Sequence, residues 1–153
     1  MSTVLKHDDS RGFTRIHDIE QHAAPSQEGR RTIAEITADL SKPIAPRHIL
    51  TRKQGGASLS YITWTCACNY LDHFAPGWQW SILSVSEISG MVCVHGRLTI
   101  TASDGTFVRE ATGVEDVSSK GYGDPVSNAS AMCLKRCAAL FGLGRSLYNK
   151  SQD

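Results

Sequence analysis

The sequence lacks any apolar run of the roughly 20 residues that a membrane-spanning helix needs, so no membrane association is expected. It also lacks a GxxxxGK[ST] phosphate loop, which argues against an ATP-driven recombinase. An excess of positive charge is missing too, because the formal net charge is only +1, and this argues against a generally basic protein that coats DNA. Any nucleic-acid site in this chain must therefore be a local patch.

Metal-binding patterns are missing as well. The five cysteines include no CxxC pair, and no histidine stands at a zinc-finger spacing from them. Free cysteines are among the most buried residue types, so we interpret these as free buried thiols and expect no metal and no cofactor. They are Cys66, Cys68, Cys93, Cys133 and Cys137.

The N-terminus has no signal-peptide pattern, because residues 6–11 are polar where an apolar segment would begin. We therefore expect a cytoplasmic, nucleoid-associated protein. A length of 153 residues suits one domain. Residues 1–31 mix charges of both signs without a sustained period and are interpreted as a mobile arm. The folded domain is predicted over residues 32–150.

The last third of the chain predicts a helix with clear boundaries. Asp124 is a suitable N-cap and Pro125 a suitable first helical residue, while Gly142 and Gly144 suit the end. On a helical wheel Lys135 points almost opposite the apolar face, and Arg136 lies on its flank. That face is predicted to hold Val126, Ser130, Cys133, Leu134, Cys137, Leu140 and Phe141.

Two earlier helices are predicted. The first covers residues 32–40, where Thr32 and Glu35 form a capping box, and the second covers residues 60–74. The spacing of Tyr61 and Trp64 in the second favours a place in the core over a base-stacking role. The basic segment 47–56, with Gly55 and Gly56 at its end, is interpreted as a solvated loop.

The middle of the chain is strand-like. Apolar and polar residues alternate over residues 78–88, and this pattern predicts a strand. The side chains predicted to face the core are Trp78, Trp80, Ile82 and Val85. A second strand is predicted over residues 92–101 and a third over residues 106–114, joined by a hairpin turn at Asp104-Gly105. A helix, three antiparallel strands and a helix give an α+β fold, with Arg97 in the middle of a polar strand face.

Read in order, these motifs resemble the Rad52/Rad22 family of single-strand annealing proteins, in its small bacterial or phage form. The resemblance covers about two-thirds of the chain, from Arg52 to Tyr148. It rests on Gly55-Gly56 before Ser60-Tyr61-Ile62, Gly77-Trp78, Asp104-Gly105, and above all Leu134-Lys135-Arg136 before Phe141-Gly142 and Gly144.

The resemblance implies an oligomeric ring whose outer groove binds single-stranded DNA through its backbone. The implied function is ATP-independent annealing of complementary strands in homologous recombination and double-strand break repair, with a single-strand binding protein as a further partner. It is not expected to be an enzyme. The residues implied or offered as DNA-binding are Lys135, Arg136, Arg52, Lys53, Arg97, Lys120 and Arg145.

Three alternatives remain open at this point. A single-strand end-protection or RNA-binding protein would use the same cations without promoting annealing. A metal-dependent nuclease would need the carboxylates that follow the hairpin, Asp104, Glu110, Glu115 and Asp116, with Lys120. An interaction domain would use Lys135 and Arg136 only for surface ion pairs.

Overall fold

The computed structural model describes residues 30–119 and 123–148. In chain order the elements are α1 (Ile33–Leu40), β1 (Leu50–Gln54), β2 (Ala57–Tyr61), α2 (Trp64–Phe74), β3 (Gln79–Ile88), β4 (Met91–Ala102), β5 (Gly105–Asp116) and α3 (Pro125–Leu140). The α+β class is confirmed. The predicted arm over residues 1–31 lies almost wholly outside the described residues.

The larger sheet is antiparallel in the order β3-β4-β5, as predicted. Along β4, Val94, Leu98 and Ile100 face the core, while His95 and Arg97 lie on the opposite face. The turn between β4 and β5 also holds the start of α1, because the Asp104 carboxylate accepts a hydrogen bond from the Ile33 backbone N–H at 2.9 Å. The chain entering the fold is thus fixed to the end of the sheet.

Helix boundaries follow the local capping signals. Thr32 and Glu35 form the predicted capping box of α1. The Asp124 carboxylate accepts a hydrogen bond from the Ser127 backbone N–H at 2.9 Å, with Pro125 as the first residue of α3. Gly144, at φ 69°, occupies the left-handed region beyond the end of α3.

The predicted start of the second helix at Ser60 is wrong. Helix α2 begins at Trp64, because the Thr63 hydroxyl accepts the hydrogen bond of the Cys66 N–H and caps the helix there. Ser60 and Tyr61 belong to β2 instead. The aromatic pair predicted for the core of this helix is therefore divided between a strand and a helix end.

The segment predicted as a solvated loop contains β1, which pairs with β2 in a two-stranded antiparallel hairpin. Gly55 and Gly56 form its two-residue turn with φ values of 58° and 80°, as a type I′ turn requires. All five residues of β1 are exposed. Strand pairing and turn geometry hold this hairpin, since its apolar side chains Leu50 and Leu59 remain exposed.

Helix α3 packs across β4 and β5 on a face slightly different from the predicted one. Val126 and Leu140 are exposed, whereas the small residues Ala129 and Ala138 are buried. The backbone of α3 passes so close to Gly113 that a Cβ there would lie 1.9 Å from the Ala129 carbonyl oxygen. Small residues permit this approach, and the helix is rotated toward them.

Two of the residues predicted to face the core from edge strand β3, Ile82 and Val85, are exposed instead. A bulge between Ile82 and Ser84 places Ile82 and Val85 on the same face, yet they remain 48% and 51% exposed. The reason is that α3 lies over β4 and β5 and leaves much of this strand uncovered. Only Trp78 and Trp80 of the predicted set pack against the core.

The cysteines are free thiols, as predicted, and three are buried: Cys66, Cys133 and Cys137. Burial raises the pKa of the Cys137 thiol to about 12, so it stays protonated. Within residues 30–119 and 123–148, no three His, Cys, Asp or Glu side chains are grouped so that they could hold a metal ion. Among the same residues, no helix is long and apolar enough to cross a membrane.

Candidate nucleic-acid interface

Two cations from distant parts of the chain meet over one aromatic ring. The Arg52 Cζ atom lies 5.4 Å from the centroid of the Tyr61 ring, and the Lys135 Nζ atom lies 5.6 Å from it. Arg52 pairs with Leu59 across the hairpin, so Tyr61, two residues further along β2, is its diagonal neighbour on the same face. The hairpin and α3 together therefore build this cluster, which we call the Tyr61 cation cluster (Arg52, Tyr61 and Lys135).

Lys135 is fixed in position rather than extended into solvent. Its ammonium group donates a hydrogen bond to the Ile62 carbonyl oxygen at 3.2 Å, and its side chain is half-buried. Burial lowers the pKa of Lys135, and the nearby charge of Arg52 lowers it further. Lys135 was predicted to point almost opposite the apolar face of the helix, and its ammonium group lies against Tyr61 and Ile62 at the end of the hairpin.

Neither cation of the cluster has a carboxylate partner among the described residues. Two neighbouring positive charges without a counter-ion cost free energy, because like charges repel and burial removes water from Lys135. A phosphate group would relieve both penalties. The cluster therefore has the charge and the hydrogen-bond donors of an anion-binding site.

Arg136 lies on another side of α3. Successive helical residues are about 100° apart, so its side chain leaves the helix toward the sheet edge, where Nη1 donates to the Thr112 carbonyl oxygen at 3.0 Å. Its guanidinium group is exposed. The two adjacent cations predicted to line one groove thus lie on different flanks of the helix.

Arg97 is neutralised by a neighbour. Its Nε and Nη2 atoms donate to one oxygen of Glu110 at 2.9 and 2.6 Å, and His95 Nε2 lies 3.0 Å from the other oxygen. The bonds from Arg97, and then those from His95, hold the pKa of the Glu110 carboxyl below its usual range. This polar sheet face therefore offers much less net charge than its arginine suggests.

The other predicted cations have different surroundings. Arg145 donates to the carbonyl oxygens of Ala139 and Leu140, so it caps the C-terminal end of α3. Lys53 is exposed on β1 and, as the neighbour of Arg52, points to the opposite face of the hairpin. Lys120 lies outside the described residues.

Sequence reasoning did not assign Tyr61 a place in the site, although the Gly55-Gly56 turn was a signal for the hairpin that carries it. The core position predicted for Trp64 is wrong, because this side chain is 53% exposed at the start of α2. Arg109 is a further cation, with its Cζ atom 5.1 Å from the centroid of Phe141. It had no recognisable signal, because this contact depends on how α3 crosses β5.

The exposed apolar side chains of β3 form a second surface, distinct from the Tyr61 cation cluster. Ile82 and Val85 share one face of the sheet. Leu83 lies at the bulge, and Ile88, which pairs with Met91 and therefore lies on the opposite face, is 62% exposed at the end of the strand. Since β3 is an edge strand, its outer backbone groups also lack a strand partner within the described sheet. An edge of this kind is typical of a protein–protein contact.

The sequence is similar to a family of DNA repair proteins and to two of its plant relatives. Residues 32–153 match the model of the Rad52/22 family of double-strand break repair proteins. The chain is 35% identical over 142 residues to "DNA repair RAD52-like protein 1, mitochondrial" of Arabidopsis thaliana, a match that covers 92% of this chain and 81% of that protein.

A second relative from the same plant is "DNA repair RAD52-like protein 2, chloroplastic". It is 36% identical over 125 residues, which cover 78% of this chain and 62% of that protein. This match spans less than two thirds of the second relative. Both relatives carry names that assign them to DNA repair in organelles.

Proposed function

Because the chain belongs to the Rad52/22 family of double-strand break repair proteins, we propose that it binds single-stranded DNA and anneals complementary strands without ATP. The setting is homologous recombination and double-strand break repair. The two plant relatives, each named as a DNA repair protein, support this setting. The cytoplasmic, nucleoid-associated location inferred from the sequence stays a prediction.

The Tyr61 cation cluster is the observation that carries the proposal. Among the described residues, neither of its cations has an acidic partner; both lie over the Tyr61 ring, and Lys135 also donates to the Ile62 carbonyl oxygen. Cations that bind phosphates hold a strand without reading its sequence. The bases then stay available for pairing, which annealing requires.

Assembly into a ring would multiply this small site. A single chain with a net charge of +1 binds DNA weakly, whereas a closed ring repeats the Tyr61 cation cluster along the bound strand. The exposed apolar residues of β3 supply the kind of surface that joins one copy to the next. We propose this strand as part of the contact between copies.

The proposal is tested by the binding of a fluorescent oligothymidylate at low salt without nucleotide. We expect Arg52→Gln and Lys135→Met each to weaken binding about tenfold, since charged hydrogen bonds contribute roughly 1.5–3 kcal/mol. Arg97→Gln is the matched control, and its effect should be smaller because Glu110 already compensates Arg97. Equal losses in all three variants would contradict the assignment of the site.

A further inference from the structure

Trp64 differs from the other two tryptophans of the chain. Trp78 and Trp80 pack against the hydrophobic core, whereas Trp64 is 53% exposed at the first position of α2. Within the described residues, its indole makes neither a hydrogen bond nor a ring contact. The packing of the fold thus gives no reason for so large an aromatic side chain here.

Helix capping does not explain it either. The Thr63 side chain caps α2, and the first helical position tolerates most residues, small ones included. An exposed indole leaves apolar surface in water, a cost that a smaller residue would avoid. Such a residue is informative when it lies beside a charged site.

Trp64 is close to the Tyr61 cation cluster along the chain. Lys135 donates to the carbonyl oxygen of Ile62, and Trp64 follows Ile62 by two residues, so the Cα atoms of Ile62 and Trp64 are at most about 7 Å apart. An indole ring at this distance lies within reach of a base whose phosphate is held by Arg52 and Lys135. The charges of the cluster point to an anionic polymer as the occupant.

We propose that Trp64 stacks on a nucleobase of the single strand whose phosphates bind at the Tyr61 cation cluster. This inference rests on the proposed function. Stacking uses the face of a base and leaves its pairing edge free, so the contact is compatible with annealing. It is tolerant of sequence because every base has such a face.

The test compares an oligothymidylate with an abasic oligonucleotide of the same length, at the same salt concentration, by fluorescence anisotropy. We expect the wild type to prefer the oligothymidylate about tenfold, within the range of one stacked base. Trp64→Leu keeps apolar bulk without an aromatic ring and should lose the preference, while its affinity for the abasic strand is unchanged. Trp64→Phe keeps a ring and should retain most of the preference.

Each other outcome overturns the inference. A wild-type preference that persists in Trp64→Leu overturns the stacking role alone and leaves the proposed function standing. Failure of the wild type to bind either strand overturns both. A changed mass of Trp64→Leu in light scattering would instead assign Trp64 to a contact between copies.

Discussion

The position of the Lys135 side chain lowers the stability of the folded protein. Its side chain is half-buried and shares the Tyr61 ring with Arg52, and within residues 30–119 and 123–148 its ammonium group has a carbonyl oxygen, that of Ile62, as its hydrogen-bond partner. Burial disfavours the protonated form and is the larger cause of its lowered pKa, and the charge of Arg52 lowers the pKa further. Residues held at such a cost are characteristic of functional sites.

We expect Lys135→Met to separate stability from binding. Methionine fills a similar volume without the desolvated charge, so the free energy of unfolding should equal that of the wild type or exceed it by up to about 1 kcal/mol. Binding of single-stranded DNA should fall about tenfold. A large loss of stability in calorimetry would show that the lysine is structural, and would contradict its role in the site.

The pH dependence of binding should reveal the same lysine. A bound phosphate favours protonated Lys135, so DNA affinity is full while Lys135 is charged and is lost as pH rises through its lowered pKa. The decline should therefore begin at lower pH than for a lysine with the ordinary pKa of 10.5. Anisotropy titrations of the wild type and Lys135→Met measure it, and the same alkaline decline in both would refute the assignment.

The lowered pKa of Lys135 also makes the stability of the fold depend on pH. Because the pKa of Lys135 is lower in the folded chain, the unfolded chain binds more protons between that value and 10.5, and stability rises with pH across this interval. Below it, the cost of holding the charged lysine is present in full. The protein therefore carries this cost at neutral pH, where a bound strand would offset it.

At the scale of elements, the β1–β2 hairpin positions half of the Tyr61 cation cluster. It presents Arg52 and Tyr61 together, and its exposed strands contribute little to the core. Its geometry depends on the turn, where Gly56 adopts φ 80°. A β-branched residue is strongly disfavoured in that conformation.

Gly56→Val should therefore disturb the hairpin without unfolding the domain. We expect DNA affinity to fall about tenfold, because Arg52 no longer meets Lys135 over the Tyr61 ring, and we expect a fall of only a few degrees in melting temperature. Gly55→Asn is the control, since asparagine tolerates the φ of 58° found there. Wild-type affinity in Gly56→Val would exclude the hairpin from the site.

The elements differ in how well the sequence predicted them. Local signals were sufficient for α1 and α3, because Thr32 and Asp124 form the hydrogen bonds that start these helices. They failed at β1 and β2, whose exposed five-residue strands have no apolar alternation to detect. The wrong start of α2 followed from this, since Tyr61 was counted as helical.

The site was only partly predictable for a related reason. The sequence identified Arg52 and Lys135 as binding candidates, but their meeting over Tyr61 depends on the hairpin. It also could not show that Glu110 compensates Arg97, because that pairing follows from the register of β4 and β5. Tertiary structure determines which cations form ion pairs with carboxylates.

At the scale of the whole molecule, the exposed apolar side chains of β3 need an explanation. The face of the larger sheet that packs against α3 is covered at β4 and β5 but not along β3, where Ile82 and Val85 remain in water. An uncovered edge strand of this kind risks uncontrolled association. A specific contact with another copy would bury it.

Ile82→Asp combined with Val85→Asp should break that contact. Both side chains are about half exposed, so the single chain should keep its fold, while light scattering should show the mass fall to that of one chain. The double threonine variant is the control, because threonine suits a strand without adding charge. Unchanged mass in the aspartate variant would locate the contact elsewhere.

The most direct test of the proposed annealing function is the rate at which two complementary oligonucleotides form a duplex without nucleotide, with and without Mg²⁺. We expect the wild type to accelerate duplex formation and Arg52→Gln/Lys135→Met to lose that acceleration, with Mg²⁺ making no difference. Binding without acceleration would indicate an end-protection protein, and Mg²⁺-dependent shortening of the strands a nuclease. Acceleration that survives in the double variant would contradict the role of these cations.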